Sequence, residues 1–155
     1  MKKTYAVLAI ILTIVIILTA WGFGEYSRVE SRILSLEFFI REHRETAFFI
    51  LRGVDEIKTA MAGRGTLTPA AFVSLISVLD TLEKAMDQLV VANTLLKEVK
   101  ISQERIISIE FPAIVYEIHQ KADKIERHLE EARLYMKNAV SKMNEITNPN
   151  LPTTY

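Results

Sequence analysis

Nineteen consecutive residues without a charge, from Tyr5 to Phe23, constrain this chain more than any other feature. At about 1.5 Å per residue they make about 28 Å of helix, close to the thickness of a bilayer's hydrocarbon core. Lys2 and Lys3 stand before the run, and Trp21, Phe23 and Tyr26 stand at and beyond its far end. Basic residues stay on the cytoplasmic side and aromatic rings settle at the membrane interface. The pattern therefore predicts a signal anchor in the lipid bilayer, with the N-terminus cytoplasmic and the rest of the chain outside. A cleaved secretory signal competes with this reading, because Leu18-Thr19-Ala20 offers a small residue before a cut. Against it, the run is long for a signal peptide and Leu18 is large for the third position before the cut. No second run reaches spanning length, so the expectation is a single-pass protein of the cell membrane with an extracytoplasmic main domain.

On this basis residues 1–24 are the cytoplasmic N-terminus and transmembrane anchor, 25–147 a helical bundle, and 148–155 a flexible tail. The first helix, about 25–62, carries apolar residues at alternating steps of four and three: Val29, Ile33, Leu36, Ile40, His43, Ala47, Ile50, Val54, Ile57 and Met61. A period of 3.5 held this long is a heptad seam. Gly63-Arg-Gly-Thr-Leu-Thr-Pro69 stops it, with Gly63 suited to a left-handed cap, Thr68 to an N-cap and Pro69 to the first helical position.

A second helix, about 69–98, has the seam Phe72, Leu75, Leu79, Leu82, Met86, Leu89, Asn93 and Leu96. A flanking stripe of Val78, Ala85, Ala92 and Val99, together with Ile76 and Val90, widens its apolar arc, which fits a helix touching two neighbours. Pro112 requires a turn or kink somewhere in 98–112, and a third helix, about 112–147, follows with a seam from Phe111 to Ile146. The fold class expected is all-α: one transmembrane helix continuing into an up-down-up antiparallel bundle of three helices, or of four if residues 99–111 add a layer. In that arrangement Ile106, Ile107, Ile109 and Phe111 return to the membrane face.

Composition removes most chemistries. The 19 Lys+Arg balance 19 Asp+Glu, which argues against nucleic acid as a partner, since phosphate neutralisation needs a basic excess. There is no Cys, so disulfides, Cys-ligated zinc, iron–sulfur clusters and thiol catalysis are excluded. Tyr116 and Ile125 stand where Glu would be needed for a Glu-x-x-His di-metal motif with His119 and His128, and no phosphate loop or nucleophile elbow occurs. No catalytic residue, metal or cofactor is expected.

The candidate residues that remain concern contacts. His43, placed by helix facing near Met86, Gln88 and Leu89, and Asn93, placed near Phe38 and Ile40, are read as a polar layer that fixes seam register. His119 and His128 are read as partly solvated. At about 100° per residue Leu34, Phe38 and Phe49 point away from the first seam, whereas Phe39 and Leu51 point inward. Outward aromatics among charged neighbours make Leu34, Phe38 and Phe49 the candidate partner-contact residues. The function this predicts is a membrane-anchored interaction or scaffold protein, either a homo-oligomer or an accessory subunit of another membrane protein. The alternative is an extracytoplasmic small-ligand-binding bundle that signals through a partner, similar in architecture alone to the sensor bundles of chemoreceptors.

Overall fold

A computed structural model describes residues 2–65, 68–106 and 111–147, with side chains from Ile10 onward. Among these residues there are three helices and no strand: α1 Lys2–Gly63, α2 Pro69–Glu104 and α3 Phe111–Thr147. Ile107, Ile109, the tail 148–155 and the side chains of Lys2 and Lys3 lie outside the described residues.

No proline interrupts Lys2–Gly63, and α1 runs unbroken from the apolar segment into the first seam, so Gly22 and Gly24 are helical. Its apolar part is long enough, by length and composition, to be a candidate membrane span. The large apolar side chains from Ile10 to Leu18 are 50–62% exposed, so the folded part does not cover them. Arg64 N–H still bonds to Ala60 O at 3.2 Å, and Gly65 N–H closes the turn on Ala62 O at 3.1 Å. The left-handed residue is therefore Gly65, with φ +65°, and not Gly63, because the helix ladder carries past the first glycine.

Thr68 caps α2 with its hydroxyl accepting from Ala71 N–H at 3.2 Å, and Pro69 takes the first turn, where a missing donor costs nothing. With neither Gly nor Pro to stop it, α2 continues to Glu104; Arg105 and Ile106 then turn the chain, their N–H groups bonding to Ser102 O and Gln103 O at 3.1 Å. Pro112 sits in the first turn of α3, which tolerates it.

All three helices contact one another around a shared core, and the α2–α3 interface is the most extensive. On α1 the buried residues are Val29, Ile33, Leu36, Ile40, Ala47, Ile50 and Val54. On α3 they include Val115, Ile118, Ala122, Ile125, Leu129, Ala132, Met136 and Ala139. Burying each large aliphatic side chain contributes about 1.5–3 kcal/mol, which sets the face each helix presents.

On α2 the inward line is rotated from the one the large residues suggest. Val78, Ala85, Ala92 and Val99 are fully buried, with Leu75, Leu82, Leu89 and Leu96 beside them, while Phe72 and Leu79 are exposed, as are Ile76 and Val90. The physical reason is size: the alanines allow backbones to approach, so they occupy the centre of the contact and the bulky side chains are left at its edge.

Partner positions along the helices follow a simple order. Ser77 meets Lys142, Gln88 meets His128, and Ser102 meets Glu117, so numbers rise along α2 as they fall along α3. Glu37 of α1 meets Lys100 of α2 at 2.9 Å, and Trp21 of α1 meets Phe111 of α3 edge to face at 5.7 Å. At the other end Met143 of α3 lies over Gly53, whose missing side chain leaves room for it.

The rotated line gives a direct test. Leucine at 92 would add three carbons to a fully buried position, whereas leucine at 90 would extend a residue that is already 62% exposed. Ala92→Leu should lower unfolding free energy by about 1–3 kcal/mol. Val90→Leu should stay within about 0.5 kcal/mol of the unmodified protein. Chemical denaturation of both variants checks this, and equal midpoints would remove the close-approach argument.

Candidate functional site

Beyond the N-terminal segment both α1 and α2 expose large apolar side chains, and on α1 most of them are aromatic. Leu34 and Phe38 are more than half exposed, and Phe49 is 78% exposed. Phe39 and Leu51, expected inward, are exposed too, at 45% and 38%. The buried stripe of α1 is narrow because only two helices cover it, and the Phe39 ring packs on its neighbour Phe38 at 5.8 Å instead of entering the core. Phe48, not singled out from the sequence, is also more than half exposed and extends the surface beside Phe49.

Leu34 and Phe38 share a groove of about 560 Å³ with Asn93 of α2, so two contact candidates and one polar seam residue come together. Phe49 stands apart from it. His43 does not face Met86, Gln88 and Leu89. It is half-buried in a different cleft, between α1 and α3, with Ile50, Met136 and Val140, and its Nδ1–H donates to Phe39 O of its own helix at 2.8 Å. The cause is angular: Glu25, Arg32, His43 and Ile50, separated by seven, eleven and seven residues, lie on one side of α1, and that side faces α3. Gln88 instead pairs with His128 of α3, whose Nδ1 lies 2.6 Å from the amide oxygen, so His128 is half-buried and bonded across helices.

Several polar contacts across the helices were not anticipated from the sequence. Arg32 donates to Asp123 at 2.7 Å and to Glu126 at 2.8 Å, and a third N–H reaches His119 Nδ1 at 3.2 Å. His119 Nε2 in turn lies 3.9 Å from Glu25. Burial opposes the charge of Arg32, but hydrogen bonds and attraction from Glu126 and Asp123 outweigh it and hold its pKa above the ordinary value. Lys142 reaches from α3 to Thr81 and Ser77 hydroxyls at 2.8 and 2.9 Å, which satisfies the buried Thr81. Lys121 bridges Glu117 at 2.9 Å and Glu98 of α2 at 3.1 Å.

At the base of the folded part Trp21 and Phe23 are at least half exposed and Tyr26 is 37% exposed. Phe111 is half-buried against Trp21, and Ile106 is buried beside the core. Among the described residues no three His, Asp or Glu side chains gather as a metal site would need. No protein-family model matches the sequence, and no curated protein or solved structure is significantly similar to it.

Opposite charges flanking a heptad seam were the signal that could have found these contacts. Their effect on stability has a definite pH dependence. The hydrogen bond from Lys121, and then its charge, lower the pKa of Glu117, while Glu117 and Glu98 raise that of Lys121. A depressed carboxyl pKa means the unfolded state binds the extra proton first, so the contribution is present above the ordinary value of 4.5 and lost as pH falls through the folded value. Lys121→Gln should therefore melt below the unmodified protein at pH 6, with the two curves converging toward pH 3. A gap that stays constant with pH would contradict the assignment.

Proposed function

We propose that this protein is a membrane-anchored interaction module. In this reading residues 1–24 hold it in the bilayer with the N-terminus cytoplasmic, and the helices beyond form an up-down-up antiparallel three-helix bundle outside the cell membrane. It would assemble with itself or act as an accessory subunit of a larger membrane complex.

The observation that carries the reading is the two-fold character of α1. One face of its outer part is buried in a seam, while Leu34, Phe38, Phe48 and Phe49 on other faces remain open to solvent. Soluble domains expose single apolar residues routinely, but four large ones within sixteen residues of one helix amount to a patch of the kind partners cover. The apolar N-terminal segment, the order of the inter-helix contacts and the Trp21–Phe111 packing at the base support the anchored bundle.

Cross-linking on intact cells with a membrane-impermeant lysine reagent tests location and interaction together. A discrete cross-linked species should form with the unmodified chain and fall about tenfold or more with Phe48→Ser/Phe49→Ser, since losing a buried aromatic contact typically costs about 2 kcal/mol or more. Both substitutions lie on exposed positions, so helical content should be unchanged. Reaction only after lysis, or equal cross-linking of the variant, would contradict the reading.

A further inference from the structure

The groove between α1 and α2 combines two features that neither the anchor nor the aromatic patch explains. Its walls are apolar, from Leu34, Phe38 and Ile40 on one side and Leu96 on the other, and its rim carries Arg41, Arg44, Lys97 and Lys100. The only carboxylate lining it, Glu37, is already held by Lys100 at 2.9 Å. Arg41, Arg44 and Lys97 make no ion pair among the described residues. Elsewhere Arg32 is matched by Asp123 and Glu126 and Lys121 by Glu117 and Glu98, and Lys142 has the Ser77 and Thr81 hydroxyls. The chain as a whole carries no net charge, so a local excess of three positive charges is a property of this groove.

Two further details point to a ligand. The Arg41 guanidinium stacks over the Phe38 ring at 5.7 Å from its centroid, which holds the charge at the groove wall. Asn93, in the middle of an apolar seam, is half-buried in the groove and spends its amide on no hydrogen bond among the described residues. No buried side-chain polar atom lacks a partner among the described residues, so the Asn93 amide opens to solvent in the groove and is free to bond to whatever enters it.

We propose that this groove binds an amphiphilic anion, with a carboxylate or phosphate head between Arg41, Arg44, Lys97 and the Asn93 amide and an alkyl or aryl body on Leu34, Phe38 and Leu96. The volume of about 560 Å³ suits one small molecule and not a helix. Such a ligand has two sources, a free amphiphilic acid or a membrane headgroup. If the anchor reading holds, Phe38 and Arg44 stand about 22 and 31 Å along the helix from Phe23, beyond the reach of a lipid in place. The free acid is therefore the occupant, and only this choice of source rests on the anchor.

The test uses the full chain in nanodiscs of zwitterionic phosphatidylcholine, titrated with decanoate and followed by calorimetry against empty discs. Saturation at one decanoate per chain is expected, with affinity lowered about tenfold or more in Arg44→Gln/Lys97→Gln, because charge-assisted hydrogen bonds contribute about 1.5–3 kcal/mol each. Decanol should show only partition into lipid, and Asn93→Leu should weaken decanoate binding while leaving the exposed cations in place. Linear uptake equal to empty discs, or saturation that Arg44→Gln/Lys97→Gln leaves unchanged, would overturn the site. In discs containing phosphatidylglycerol the same one-to-one saturation should persist; its abolition there would overturn the free acid as the occupant in favour of headgroups.

Discussion

Close approach of α2 and α3 through small residues is the contact on which the folded part depends. Ala85 and Ala92 are fully buried on one helix and Ala122, Ala132 and Ala139 are essentially so on the other, and together they let two long helices share their largest interface. Larger residues then pack around this line. Leu75, Leu82, Leu89 and Leu96 fill one side of α2, where the seam of α1 lies, and Thr81 and Gln88 take polar partners from α3 on the other. Because the approach is set by backbone proximity, bulky residues at the edge of α2, such as Phe72 and Leu79, remain outside.

On the proposed reading α1 answers to two solvents along one axis. From Ile10 to Leu18 its side chains, Thr13 apart, are apolar and uncovered by protein, and from Val29 onward only a narrow stripe is apolar and buried. The change happens within about ten residues and without a break in the helix. Trp21, held by Phe111, fastens α1 to α3 within the change, and Arg32, held by Asp123 and Glu126, does so just past it. A partner binding the exposed aromatics of α1 would therefore meet a surface joined to the apolar N-terminal segment by a continuous helix, and so would a ligand in the groove.

The helices were legible in the sequence wherever the apolar spacing was strict. On α1 and α3 the four-three pattern identified the buried face nearly residue by residue, since each lays one narrow stripe into the core. On α2 the same reasoning followed Phe72 and Leu79, because side-chain size dominates a hydropathy pattern, while the contact is centred on alanines. The turn after α1 was legible in position but not in detail, the left-handed residue being Gly65. His43 was legible as a seam position and not as to which neighbour it faces, since the seam of α1 lies between α2 and α3 and a small rotation around the helix exchanges one for the other. Arg32, Lys121 and Lys142 were legible only as charges flanking a seam and not in their partners, since long side chains reach residues up to 94 positions away along the chain.

The central claim is that one unbroken helix joins a lipid-embedded segment to the packed domain. Nitroxide scanning of residues 12–32 in lipid vesicles measures it most directly, by comparing collision with oxygen and with a water-soluble nickel complex at each position. The account predicts high oxygen access and low nickel access on all faces through Leu18, then a 3.6-residue rhythm beginning near Tyr26 with minima at Val29 and Arg32, in phase with one helix through Gly22 and Gly24. Nickel access throughout 12–20, or a loss of helical phase across the two glycines, would contradict it.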